Sequence, residues 1–132
     1  MPGKSDFRPS YILDTSALIA YLANEKGAEK VNGIRSEASI PFVALSELYY
    51  LVWKRKGKAE ANKIFGLVKS WQLPVILPDE KIILTAGRYK AVYGLGIADC
   101  YIASIAHSTD AVLVTKDEDF QVLKEELRIM PI

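Results

Sequence analysis

The chain has 132 residues, half of them hydrophobic and 25% charged, which is the composition of a globular domain able to bury a core of its own. Seventeen basic and sixteen acidic residues leave a net charge of +1. That balance excludes a uniformly basic nucleic-acid binder and allows only a local basic patch. One cysteine, Cys100, excludes an intrachain disulfide and suits a reducing compartment.

No apolar run is long enough to span a membrane. The first ten residues, broken by Pro2, Gly3 and Pro9, lack the apolar core of a signal peptide. The expectation is a soluble, cytoplasmic protein with a flexible tail over residues 1–10 and a single domain over residues 11–132.

In chain order, Tyr11–Leu13 reads as a short strand ending at Asp14, and Thr15–Leu22 as a helix with Leu18, Ile19 and Leu22 at helical spacing. Ala28–Ser36 reads as a second helix and Ile40–Val43 as a second strand. Leu45–Arg55 carries Leu45, Leu48, Tyr49 and Val52 on one helical face and stops near Gly57. Ala59–Trp71 is again helical. Val75–Leu77, between prolines, is a strand, and Asp79 is placed to cap a helix running to Tyr93. Gly94–Gly96 breaks the chain. Asp99–His107 reads as a helix, Ala111–Val114 as a β-branched strand, Phe120–Leu127 as a last helical piece and Arg128–Met130 as an edge strand.

Short apolar strands alternating with helices predict an α/β three-layer sandwich. Its central sheet is mostly parallel, five-stranded and flanked by helices. Ligands of such sheets bind beyond the carboxyl ends of the strands. Acids occupy those places. Asp14 follows the first strand, Glu47 lies about a turn into the helix after the second, Asp99 opens a helix among apolar neighbours, and Asp117 and Asp119 follow the last buried strand.

Three or four carboxylates packed together repel one another unless a cation neutralises them. Hard oxygen donors without a cysteine or histidine cluster suit Mg²⁺ or Mn²⁺, not zinc. Each acid alone has a plainer reading. Asp14 and Asp99 are also placed to cap helices, Glu47 to pair with Lys54, and Asp117, Glu118 and Asp119 to form a solvated turn.

Four segments carry a further signal: Tyr11-Ile-Leu-Asp-Thr-Ser-Ala-Leu18, Leu45-Ser-Glu-Leu48, Gly96-Ile-Ala-Asp-Cys-Tyr-Ile-Ala103 and Leu113-Val-Thr-Lys-Asp-Glu-Asp-Phe120. In this order they resemble the PIN domain, and within it the VapC-like toxins of toxin–antitoxin pairs. The resemblance runs from about Tyr11 to Phe120. It implies a Mg²⁺- or Mn²⁺-dependent endoribonuclease that cleaves RNA with metal-activated water, an antitoxin partner and a homodimer. Carried onto this sequence, it makes Asp14 and Asp99 direct metal ligands. Glu47 and Asp117 complete the acidic cluster through water. Ser16 and Thr115 become hydrogen-bond partners of the carboxylates, and Asp119 an accessory acid. Cys100 departs from the family's usual alanine.

Other readings stay open at this point. They are a housekeeping RNA-processing nuclease, a non-catalytic RNA- or protein-binding module of the same fold, and a phosphotransfer domain using Asp14 covalently. The last is disfavoured because Thr15 and Ser16 stand where such domains carry a second acid. His107 at a helix end reads as a dipole partner, with general base as the alternative. Lys54, Arg55, Lys56 and Lys58 read as a helix C-terminus complementing its dipole, or as a phosphate contact. Tyr49, Tyr50, Trp53 and Trp71 read as core, partner surface or base-stacking platform.

Overall fold

The computed structural model describes residues 8–132. Strand β1 (Tyr11–Leu13) leads through α1 (Thr15–Leu22), α2 (Ala28–Ile34) and a 3₁₀ turn (Arg35–Glu37) to β2 (Ala38–Pro41). The hairpin of α3 (Phe42–Lys56) and α4 (Lys58–Ser70) then leads to β3 (Val75–Ile76), followed by α5 (Glu80–Tyr93), α6 (Ile97–Ser108) and β4 (Val112–Thr115). A 3₁₀ helix (Glu118–Leu123) precedes β5 (Ile129–Pro131).

The sheet order is β3-β2-β1-β4-β5, and every pairing is parallel. Tyr11 sits opposite Ala38 on one side and Val112 on the other, so β1 is the central strand. The strands are apolar because helices cover both faces. Crossovers between parallel strands are right-handed. The chain moves outward from β1 to β3 and then jumps back to β4. The helices of the outward run and the α5–α6 pair therefore cover opposite faces. The order reverses between β1 and β4, which makes the carboxyl ends of those two strands the switch point where such sheets bind ligands.

Ile12, Leu13, Leu18, Ile40, Leu48, Ile102, Ile105, Leu113, Tyr89 and Phe120 are fully buried and fill the core between the layers. Cys100 is part of that core. Among the described residues no helix is long and apolar enough to cross a membrane.

Several boundaries differ from the sequence reading. The second strand is Ala38–Pro41, not Ile40–Val43, because Pro41 closes the strand and becomes the N-cap of α3. Phe42 and Val43 therefore begin the helix. A continuous apolar run carries no period that separates the end of a buried strand from the start of a buried helix. Ala28–Ser36 is α-helical only to Ile34 and then tightens into the 3₁₀ turn. The piece expected over Phe120–Leu127 is 3₁₀ and starts earlier, at Glu118, on the Asp117 cap. Helix α6 begins at Ile97 with Gly96 as N-cap, which makes Asp99 its third residue and not a cap.

The tail expected over residues 1–10 falls, for its first seven residues, outside the described residues. At its inner end Ser10 continues the central strand, donating to Glu37 and accepting from Val112.

Local chemistry holds the rest. The Asp79 carboxylate accepts the Ile82 N–H at 2.8 Å and caps α5 as its position predicted. Gly57, at φ +93°, makes the turn between α3 and α4 in a backbone region that a side chain would strain.

The segment after the 3₁₀ helix is stapled by Glu126. Its carboxylate takes both arms of Arg88 at 3.0 Å and the Tyr93 hydroxyl at 3.1 Å, while His107 Nδ1 meets its carbonyl oxygen at 2.8 Å. The Arg88 guanidinium, joined by Tyr93, holds this carboxyl down at about 2.

A carboxyl depressed in the folded chain stabilises it above the ordinary carboxylate range, and that stability is lost as pH falls toward the depressed value. Glu126→Gln is therefore expected to cost about 1 kcal/mol at neutral pH, the half-exposed Arg88 being screened by solvent. Denaturant unfolding from pH 5 down to about 2 checks it: the gap between wild type and variant closes across that window.

Candidate active site

The site is built at the switch point, around Asp14. Its N–H donates to the Val114 carbonyl at 3.3 Å, continuing the β1–β4 ladder by one step. Its side chain then turns back as the N-cap of α1, where Oδ1 accepts the Ala17 N–H at 2.8 Å. The plain reading of Asp14 as a cap is thus true, and it does not exhaust the residue.

Oδ1 also accepts the Ser16 hydroxyl at 2.7 Å, and Oδ2 accepts the Thr115 hydroxyl. Each hydroxyl is used twice. Ser16 Oγ accepts the Lys116 N–H at 2.9 Å, and Thr115 Oγ1 accepts the Asp117 N–H at 2.8 Å. Two small hydroxyls therefore bind the turn after β4 to the carboxylate that ends β1. That is how Asp117, a hundred residues away in sequence, is brought beside Asp14.

Asp14 is only 3% exposed. Burial pushes its carboxyl up, the bonds from Thr115, Ser16 and Ala17 pull it down, and the charge of Asp117 adds to the rise.

Glu47 and Asp99 arrive on α3 and α6. These helices meet where Phe42 packs edge-to-face on Tyr101, with ring centroids 5.5 Å apart. Glu47 Oε1 accepts the Thr15 hydroxyl at 2.6 Å. The pairing with Lys54 expected as its plainer reading is absent among the described residues.

Asp99 is half-buried, and its carboxyl is pushed up to about 6. Burial comes first, followed by the charges of Asp117, Glu47, Asp14 and Asp119. The four acids picked out by position, with Asp119, thus share one electrostatic neighbourhood. Asp119 is its weakest member and is exposed. Its N–H donates to Asp117 Oδ1 at 2.9 Å, so the solvated-turn reading fits that residue. Lys116 turns its ammonium toward Glu25, 3.5 Å away.

Among the described residues no group of three or more His, Cys, Asp or Glu side chains is placed to hold one ion together. The donor set still fits a hard divalent cation. Mg²⁺ keeps several waters and is held through one or two carboxylates. Asp14 Oδ2 accepts a single hydrogen bond and keeps a lone pair free. The charges acting on Asp99 are carboxylates, the repulsion a cation relieves.

Thr15 is the functional neighbour that the sequence reading missed as a partner of Glu47. The two are 32 residues apart, and nothing local announces their contact. His107 lies eight residues beyond Asp99 on α6, bonded to Glu126, which suits the dipole reading.

The sequence model of the PIN domain matches residues 11–126. The chain belongs to the PIN domain family. Solved structures agree with this PIN fold. VapBC-1 from nontypeable Haemophilus influenzae superposes with a TM-score of 0.73 at 25% identity, covering 92% of this chain and 96% of that one. DNA-bound VapBC from Salmonella typhimurium gives 0.78 at 23%, covering 93% and 98%. VapBC-5 from Mycobacterium tuberculosis, a member of the VapBC family of toxin–antitoxin systems, gives 0.71 at 24%, covering 94% and 100%. A comparison with curated proteins finds no match.

A carboxyl raised in the folded PIN domain has the opposite linkage to Glu126. The folded chain holds the Asp99 proton up to about 6, so stability from this group is present below the ordinary value of 3.8 and lost as pH rises through 6. Without added metal, Asp99→Asn is expected to be more stable than wild type at pH 7, by about 1 kcal/mol after solvent screening. Parallel denaturant titrations at pH 7 and pH 4 check it, with the difference vanishing at the lower pH.

Proposed function

We propose that this PIN domain is a divalent-metal-dependent endoribonuclease, the toxin of a toxin–antitoxin pair. One observation carries the reading: Thr115 joins Asp14 to Asp117 beyond β1 and β4, and the Asp99 carboxyl feels the charges of both and of Glu47. Asp14 and Asp99 would hold the ion, with Glu47 and Asp117 as the neighbouring acids. Mg²⁺ or Mn²⁺, when bound, supplies Lewis acidity toward the phosphate and a water of lowered pKa.

The chain's own groups do the rest. Ser16 and Thr115 fix the orientation of Asp14, and Thr15 fixes that of Glu47. Glu47 Oε2, free of the Thr15 bond, would take a proton from the attacking water as the water oxygen bonds to phosphorus and the P–O bond to the leaving ribose oxygen breaks, that oxygen taking its proton from solvent.

A groove on the domain supports an antitoxin partner. It measures about 350 Å³, lies between α1 and the α3–α4 hairpin, and is lined by Ile19, Leu22, Leu48, Leu51, Val52 and Ile64.

The test is cleavage of single-stranded RNA with Mg²⁺, with Mn²⁺ and with chelator. Asp14→Asn and Asp99→Asn are expected to lower the rate about 100-fold or more, and chelator to abolish it. Asn is as good an N-cap as Asp, so Asp14→Asn keeps its helix, and circular dichroism checks that it does. Cleavage that persists undiminished in both variants or in chelator contradicts the reading.

A further inference from the structure

The basic run and the aromatics of α3 have no part in the acidic site. Residues 54–63 carry five basic side chains and one acid, a local balance of +4 in a chain whose total is +1. Lys54, Arg55, Lys56 and Lys58 are all exposed, and none forms an ion pair among the described residues. A helix dipole accounts for cations in the last turn of α3 but not for Lys58 and Lys63, which lie on the next helix.

Two large aromatics stand out on the same helix, Tyr50 at 53% exposure and Trp53 at 46%. Trp53 is held without being buried. Tyr49 packs edge-to-face on it with centroids 5.7 Å apart, and Lys58 Nζ lies 5.9 Å from its ring centre. Tyr49 is itself fixed through its hydroxyl, which donates to Asn62, and by Phe65 at 6.0 Å. An ordered, half-exposed indole stacks on an unpaired base with little further loss of entropy.

Glu47, Tyr50 and Lys54 follow one another at i, i+3 and i+7, so they share a helical face, and Lys54 lies about 10 Å along the axis from Glu47. Leu48 and Val52 turn away into the apolar groove, with Leu51 at the border between the two. The acidic site repels a polyanion by itself, so a strand brought to it needs cations nearby.

We propose that the exposed face of α3, from Glu47 to the hairpin tip, is the track for the single-stranded flank of the RNA. Tyr50 and Trp53 serve as stacking platforms, and Lys54 and Lys58 contact phosphates. This rests on the ribonuclease reading above and names where its substrate lies. Aromatic faces stack only on bases free of a duplex, so the occupant is single-stranded.

The test uses a mixed-sequence, fluorescein-labelled RNA of about 16 nucleotides. Relative to wild type, the double variant K54E/K58E is expected to raise KM about 10-fold with kcat unchanged. It should also flatten the salt dependence of log KM by about 1.4, the counterions of two phosphates on a single strand. Trp53→Ala raises KM in the same sense, and K54R/K58R restores the wild-type value. Both lysines are exposed, so a circular dichroism melt matching wild type is expected for the charge variants.

If wild type cleaves no RNA, the ribonuclease reading fails by itself, and fluorescence anisotropy in chelator decides the track. Binding weakened about 10-fold by K54E/K58E supports it, and binding that is unchanged or absent overturns it. KM and salt dependence unaltered in K54E/K58E overturn the proposal directly. So does a change confined to oligomeric state, which would assign the face to a protein contact.

Discussion

A carboxylate stands at the end of the central strand with almost no access to water, and its compensation organises everything around it. Asp14 receives a backbone N–H from α1 and hydroxyls from Ser16 and Thr115. Both hydroxyls in turn accept N–H groups from the turn after β4. The same bonds that oppose the rise burial imposes on the Asp14 carboxyl thereby fix the direction in which α1 leaves the sheet and the path of Thr115–Asp117. Replacing either hydroxyl with an apolar group removes a bond to a buried charge and frees a loop at once.

The remaining acids are brought to this point by packing. Parallel strands place every strand's carboxyl end on one edge, and the reversal between β1 and β4 opens the crevice there. Helices α3 and α6 converge on it through Phe42 and Tyr101, which delivers Glu47 and Asp99. The result opposes stability locally. Asp99 is half-buried among like charges, and burial first, then those charges, push its carboxyl up to about 6. The core behind it, with Leu13, Leu18, Ile102 and Leu113 fully buried, and the Glu126 staple at the far end of α6 hold the domain in spite of it. An accumulation of unneutralised charge at the one edge where the fold binds ligands is the physical content of the functional proposal.

Much of this was legible in the sequence because it is local. Asp79 caps α5 three residues before Ile82, Gly94 ends that helix, and Asp14 and Asp117 fall just beyond β-like runs. The parallel sense of the strands follows from their alternation with helices, whereas their order β3-β2-β1-β4-β5 does not. Contacts across the fold left no local mark. Thr15 reaches Glu47 and Arg88 reaches Glu126 between residues 32 and 38 apart. The end of β2 was misread because Ile40–Val43 is apolar throughout, and only the backbone at Pro41 decides where strand gives way to helix. Asp99 looked like a cap and is not one, since Gly96, three residues earlier and just before the first helical residue Ile97, takes that position. Its correct placement matters more than the boundary itself. On the third residue its carboxyl is free of capping duty and feels the other acids.

The central claim is that Asp14 and Asp99 form one cation site. The most direct measurement is a crystal structure grown with Mn²⁺ and phased on its anomalous signal. The account predicts a single strong anomalous peak within about 2.5 Å of an Asp14 oxygen and an Asp99 oxygen, with water completing the shell. A Mn²⁺ peak elsewhere, or none at this edge under saturating metal, would contradict it.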